Sequence, residues 1–200
     1  MTITLKIILP IFVCAFFGLT MIWRSYLAWK HTGINPYALG NGDNVHDYIG
    51  KLFRLTLFAA AVTVFIFSFS DSAYIWLLPI PWLISPLLAW LGLGLLMIAL
   101  VWILLAQAQM GDSWRIGIDN GSTAPLVQRG LFSRSRNPIF LGMKITVLGL
   151  FLTIPSAASL LVLVLGWVLI DIQVRLEELF LLEKYGDAYR AYMTSVRRWL

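Results

Sequence analysis

The chain reads as an all-α, polytopic membrane protein of about five transmembrane helices, the last two forming a tight helical hairpin, followed by a short C-terminal helix. Three observations predict this. Of its 200 residues, 60% are hydrophobic and 12% charged, whereas about a quarter are charged in an ordinary soluble domain. Uncharged stretches cover 7–23, 55–70, 72–111 and 145–170, and a helix needs about 20 apolar residues to cross the hydrocarbon core. Lys and Arg gather in alternate connections, as they do when every second loop faces the cytoplasm.

The first span is expected at 5–23. It lacks a small-residue cleavage site and runs directly into Trp23-Arg24, so it reads as a retained anchor rather than a signal peptide. The second is expected at 52–70. The stretch 72–111 is long enough for two spans, but Pro79, Pro81 and Pro86 crowd its first part, where a helix interior would be broken. It therefore predicts one long helix, 86–106, preceded by Tyr74, Trp76 and Trp82 at the bilayer interface. Pro138 suits a first helical turn and opens a fourth span, 138–154. Pro155-Ser156 breaks the run, and a fifth span follows at 157–176. Gly186-Asp187 reads as a helix stop and a new N-cap. The tail 188–200 is then a short helix packed by Tyr189, Tyr192, Val196 and Trp199.

Basic residues fall in 24–54, in 107–137 (Arg115, Arg129, Arg134, Arg136) and in the tail (Lys184, Arg190, Arg197, Arg198), with none at the turns around Asp71 and Pro155. Five spans then place the N-terminus outside and the C-terminus in the cytoplasm, with Lys6 running against the pattern. The net charge of +5 sits beside spans without a stacking platform, which argues against nucleic acid and for anionic lipid headgroups. Cys14 has no disulfide partner. Neither His31 nor His46 has a second ligand at metal spacing, so no metal site is expected, and both are assigned to a polar loop.

Ionisable groups near membrane depth default to a functional reading, which singles out Asp171, Arg175, Glu177 and Glu178. On a helix, 171, 175 and 178 fall within about 40° of one another while 177 points about 100° away from 178. One stripe could pair Arg175 with Asp171 and Glu178, leaving Glu177 facing elsewhere. The bland reading is a solvated, salt-bridged helix end; the functional one is carboxylates meeting a cationic ligand. Residues 126–142 form a basic loop that ends at a helix N-terminus, where free amides favour an anion; the bland reading is a positive loop that sets topology. Gln107 and Gln109 read as a helix end meeting water, or as hydrogen-bonding groups for a cofactor. Trp114 either buries against the bilayer or covers a pocket.

Two patterns carry a family resemblance. Leu126, Val127, Gly130, Arg136, Pro138 and Gly142 match L-V-x-x-G-x-Y followed by R-H-P-x-Y-x-G, with Phe132, Asn137 and Phe140 in place of Tyr, His and Tyr. Glu177, Glu178, Leu181, Gly186, Tyr189 and Tyr192 match E-E-x-x-L-x-x-x-F-G-x-x-Y-x-x-Y, with Tyr185 in place of Phe. In order and spacing the region 86–200 resembles the isoprenylcysteine carboxyl methyltransferase and phospholipid methyltransferase superfamily.

The resemblance implies one membrane domain in which 1–85 supplies N-terminal spans and 86–200 a methyltransferase-like core. It implies S-adenosylmethionine as cofactor and a lipophilic acceptor entering from the bilayer: an isoprenylcysteine-like carboxylate, a phospholipid amine or another small lipophile. In a prokaryote the location would be the inner membrane. Leu126, Val127, Gly130, Phe132, Arg136, Asn137, Pro138, Glu177, Glu178 and Gln107 are the implied cofactor-binding residues, with Gly92 and Gly94 added from a Gly-x-Gly in the preceding span that equally permits close helix packing. Arg175, Glu178 and Asn137 are the implied catalytic residues. Asn137 in place of His removes a titratable group but keeps a donor and an acceptor. Two other readings stay open: a nicotinamide-dependent membrane reductase of the related sterol-reductase type, and a non-catalytic membrane scaffold.

Overall fold

The computed structural model describes residues 2–33, 45–111, 114 and 125–200. Among them the secondary structure is helical, apart from one isolated bridge between Pro79 and Ser156. Helix α1 (Thr2–Phe17) runs through a π-helical turn (Gly18–Trp23) into α2 (Arg24–Thr32). Then follow α3 (Val45–Phe69), the short α4 (Asp71–Tyr74), α5 (Pro86–Met110), α6 (Pro138–Thr153), α7 (Ala157–Tyr185) and α8 (Asp187–Ser195).

Among the described residues, four helical runs are long and apolar enough to cross a membrane: Ile3–Thr32, Val45–Phe69, Pro86–Met110 and Ala157–Tyr185. The chain is thus an integral membrane protein by helix length and hydropathy. The fourth expected span, α6, has 16 residues and so is about 24 Å long at about 1.5 Å per residue, short of the roughly 30 Å hydrocarbon core. Other boundaries also move. The first helix continues past Trp23 to Thr32, because Trp23 and Arg24 keep right-handed helical angles through the π turn. The last long helix reaches Tyr185 before Gly186 stops it with φ of 54°. His31 and His46, assigned to a polar loop, lie instead in the last turn of α2 and the first turn of α3.

The proline-rich stretch before α5 behaves as its sequence requires. Short 3-10 turns at Ile75–Leu77 and Pro81–Leu83 leave Trp76 and Trp82 exposed. Helix α5 then starts with Ser85 accepting from the Leu88 amide at 3.2 Å and Pro86 in its first turn. A Ser156/Ser159 capping box starts α7. The intervening turn is tied to the pre-α5 segment by Ile80 N donating to Pro155 O at 3.0 Å and Ala157 N donating to Leu78 O at 2.9 Å. Lys6, the basic residue that ran against the charge pattern, is ion-paired with Asp71, which neutralises that end of α1.

Helices α5 and α6 pack most closely. On α5 the buried residues Ala89, Gly92, Leu96, Ala99, Ile103 and Ala106 recur at steps of three and four, a single seam facing its neighbour. Since lipid is as apolar as a side chain, what joins such helices is close contact between small residues. A Cβ on Gly92 would lie 2.4 Å from Thr153 Oγ1 and 2.6 Å from the Gly149 carbonyl, whereas one on Gly94 would meet nothing within 4 Å. Gly92→Ala should therefore lower stability by about 1–3 kcal/mol through overpacking, and Gly94→Ala should not; paired thermal melts in detergent measure the difference.

Candidate active site

A cavity of about 460 Å³ lies between the π turn, α3, α5, α6 and α7, within the roughly 300–1,000 Å³ range of small-molecule sites. Its walls are largely apolar, with Phe17, Phe53, Phe58, Phe140 and Met143 among them. The polar groups that interrupt them are Thr20, Arg54, Gln107, Gln173 and Glu177. The cavity thus draws on both halves of the chain, and residues of α1, the π turn and α3 complete a wall that 86–200 alone would leave open.

The π turn explains one of these groups. Wider helical turns of this type often mark functional sites, and here Gln107 Nε2 donates to the Thr20 carbonyl at 3.0 Å. Gln107 is only 2% exposed, yet among the described residues its Oε1 accepts no hydrogen bond. An orphaned amide oxygen costs roughly 1–3 kcal/mol and calls for an explanation such as a ligand. The reading of Gln107 and Gln109 as a helix end meeting water is corrected in both cases. Gln109 Oε1 accepts from the Leu131 amide at 2.7 Å and sits where a Cβ on Gly130 would fall, 2.4 Å away. Gly130, at φ of 65°, is what lets the loop lie against α5. Trp114 is buried and lines the cavity.

Glu177 faces the cavity one helical turn beyond Gln173. Among the described residues its carboxylate forms no ion pair. Glu178, its neighbour, points into a different and fully partnered environment. Its Oε1 accepts from Arg136 Nε at 3.1 Å and Asn137 Nδ2 at 3.0 Å, and its Oε2 from Arg198 Nε at 3.0 Å and Nη2 at 2.7 Å. Arg136 Nη1 in turn donates to the carbonyls of Met193 and Val196 at 3.1 and 2.6 Å. The main chain of the tail closes the cluster, with Arg136 N donating to Arg197 O at 2.9 Å and both Ser135 Oγ and Asn137 Nδ2 donating to Arg198 O at 3.3 Å. The whole forms a clasp between the start of α6, α7 and the last residues of the chain.

Several expectations change accordingly. The stripe pairing Arg175 with Asp171 and Glu178 does not form: Asp171 binds Lys144 Nζ of α6 at 2.6 Å, Glu178 is taken by Arg136 and Arg198, and Arg175 is exposed. Helical spacing put the three on one side, but neighbouring elements offered closer cations. Arg136 has its guanidinium nitrogens committed within the protein and does not line the cavity. Nor do Asn137, Glu178, Arg175, Leu126, Val127, Gly130, Phe132, Pro138, Gly92 or Gly94, so of the expected site residues the cavity brings together Gln107 and Glu177. Leu126 and Val127 are half-buried beside the clasp loop, while Phe132 is buried and its carbonyl accepts from the Tyr192 hydroxyl. Arg115 lies outside the described residues.

The tail also differs from its expected helix. Helix α8 ends at Ser195, and Val196 is extended at φ of −128° and ψ of 135°. Trp199 therefore leaves the helical face and lies on the Lys144 ammonium, 3.9 Å from nitrogen to ring centroid, with Trp167 on its other side at 4.7 Å. Such contacts are worth about 0.5–2 kcal/mol each. Lys144 carried the one signal that could have revealed this: a lone charge inside an apolar run needs a partner.

Burial pushes the Tyr192 phenol up to about 12 and raises that of Tyr189 as well. A group whose neutral form is favoured on folding contributes stability below its unfolded value, near 10, and that stability is lost as pH rises through the folded value. The melting temperature should therefore fall between about pH 10 and pH 12, and Tyr192→Phe should shallow that fall while costing about 1 kcal/mol at neutral pH for the lost bond to Phe132 O; melts across pH measure both.

Against known proteins, residues 87–188 match the family model for phospholipid methyltransferase, about half of the chain. The curated proteins contain no match.

Proposed function

Because the chain belongs to the phospholipid methyltransferase family, a family of membrane methyltransferases, we propose that it moves a methyl group from S-adenosylmethionine to a lipophilic acceptor that reaches the site from the bilayer. The observation that carries this reading is the apolar cavity into which an orphaned Gln107 oxygen and the Glu177 carboxylate both face. Acceptor atoms in an apolar wall suit a ligand that brings N–H donors and positive charge. When bound, S-adenosylmethionine supplies a methyl group activated by a sulfonium.

The residues present fit that cofactor. Glu177 would hold its amino group and Gln107 Oε1 a further N–H donor. Arg54, on the α3 wall, lines the same cavity and would meet its carboxylate there. Phe140 and Trp114 offer aromatic faces to a sulfonium. Methyl transfer is an in-line displacement governed by placement and exclusion of water, so the phenylalanine-lined walls contribute by keeping the reacting atoms dry. No enzyme nucleophile is required. Residues 86–200 are read as the core, with 1–85 supplying the cavity's other wall, and the Glu177 end of the bundle as cytoplasmic, where the cofactor is made.

The test is direct. S-adenosylhomocysteine should raise the melting temperature of the purified protein in detergent and NADPH should not, and labelled methyl groups should pass into a component of a membrane lipid extract identified by mass. Stabilisation by NADPH alone would turn the reading to a reductase, and stabilisation by neither to a scaffold.

A further inference from the structure

We propose that Arg198 is a positioning residue of this site: by holding Glu178 it fixes the rotation of α7 that turns Glu177 into the cavity. The inference rests on the functional reading above and adds to it a residue ten positions beyond the family match, which ends at 188.

Consecutive residues on a helix are set about 100° apart, so anchoring Glu178 on one side determines where Glu177 can point. The anchor has two independent sides. Arg136 arrives from the segment that leads into α6 and takes Oε1, while Arg198 arrives from the tail and takes Oε2 with two nitrogens. Paired N–H donors on one carboxylate oxygen restrict its orientation as well as its charge. The other end of the same clasp is also connected to the cavity: Arg136 and Asn137 are joined through Pro138 to Ile139 and Phe140, which line it. The clasp therefore sets two cavity walls relative to each other.

The tail is held to this task from behind. Its carbonyls at Arg197 and Arg198 are bonded to Arg136 N, Ser135 and Asn137, and Trp199 is seated on Lys144, itself paired with Asp171. Arg198 is the more exposed of the two guanidinium groups, at 32% against 8% for Arg136. Removing it leaves Glu178 still neutralised by Arg136, so the fold should survive while the orientation loosens. That separation makes the role measurable.

The experiment uses the full chain in detergent. Cys14, the single cysteine, is changed to Ser, and Gln173→Cys on the cavity wall is labelled with bimane, whose emission reports local polarity. Affinity for S-adenosylhomocysteine is measured separately on unlabelled protein. Arg198→Ala should red-shift the emission and weaken binding by on the order of tenfold, and Arg198→Lys should recover part of both. Arg190→Ala, which removes an exposed pair with Asp187, should change neither. Unchanged emission and affinity in Arg198→Ala would overturn the proposal. If Arg198→Ala does not yield folded protein, Arg198→Lys decides by the same two readouts, since it keeps the charge but not the paired donors. If the wild-type chain binds no S-adenosylhomocysteine, the emission shift alone decides the positioning role, and the cofactor reading falls separately.

Discussion

Glu177→Gln should weaken S-adenosylhomocysteine binding by about tenfold to a hundredfold, with the melting temperature of the free protein unchanged. The size follows from losing one charge-assisted hydrogen bond, worth about 1.5–3 kcal/mol. The second half follows from the structure: Glu177 makes no ion pair among the described residues, so an amide of the same shape removes nothing that holds the fold. Family motifs place Glu177 and Glu178 side by side and suggest a joint role. Geometry assigns them opposite tasks, because the Glu178 oxygens are occupied by Arg136, Asn137 and Arg198. Isothermal titration in detergent measures the outcome. Wild-type affinity in Glu177→Gln would remove the cavity as the place where the cofactor's amino group sits.

The bundle was legible because hydropathy and helix punctuation act locally. The prolines up to Pro86, the Pro155-Ser156 break and Gly186 as a stop each determine their own boundary, and no distant residue is needed to read them. The site was legible only in part. Glu177 stood out as an ionisable group near membrane depth and Gln107 as a polar group at the end of a span, both properties of the sequence itself. Their meeting in one cavity depends on the π turn at Gly18–Trp23 and on Arg54 and Phe58 of α3, which no motif in 86–200 encodes. Arg198 and Lys144 were hidden for a related reason. Each partners a residue from another element, and a count of basic residues treats every arginine near a span as topology. The expectation that Arg175 would pair along its own helix failed for the same cause: periodicity states which residues share a face, not which neighbour supplies a nearer charge.

The counterpart to Glu177 is Glu178, where the opposite result is expected: Glu178→Ala should destabilise the protein by about 3–5 kcal/mol, the range for breaking a buried pair by removing one partner. The Arg136 side chain is 8% exposed and would be left with its Nε and Nη2 facing no anion. The tail would lose the bonds from Arg198 to α7 while keeping those from its carbonyls to Ser135, Asn137 and Arg136, so loss should begin at the C-terminal end. Limited proteolysis should then cut within 187–200 before the helical bundle is attacked, and the melting temperature should fall well below that of Glu177→Gln. Glu178→Gln should lie between, since the amide oxygen can still accept from one arginine while its nitrogen meets the donors of the other. The order Glu177→Gln, Glu178→Gln, Glu178→Ala in stability, set against the reverse dependence on Glu177 in ligand binding, separates the group that faces a ligand from the group that builds its wall. Equal melting temperatures across the three would mean that the clasp contributes no net stability, and Glu178 would then have to be reconsidered as a ligand-binding carboxylate.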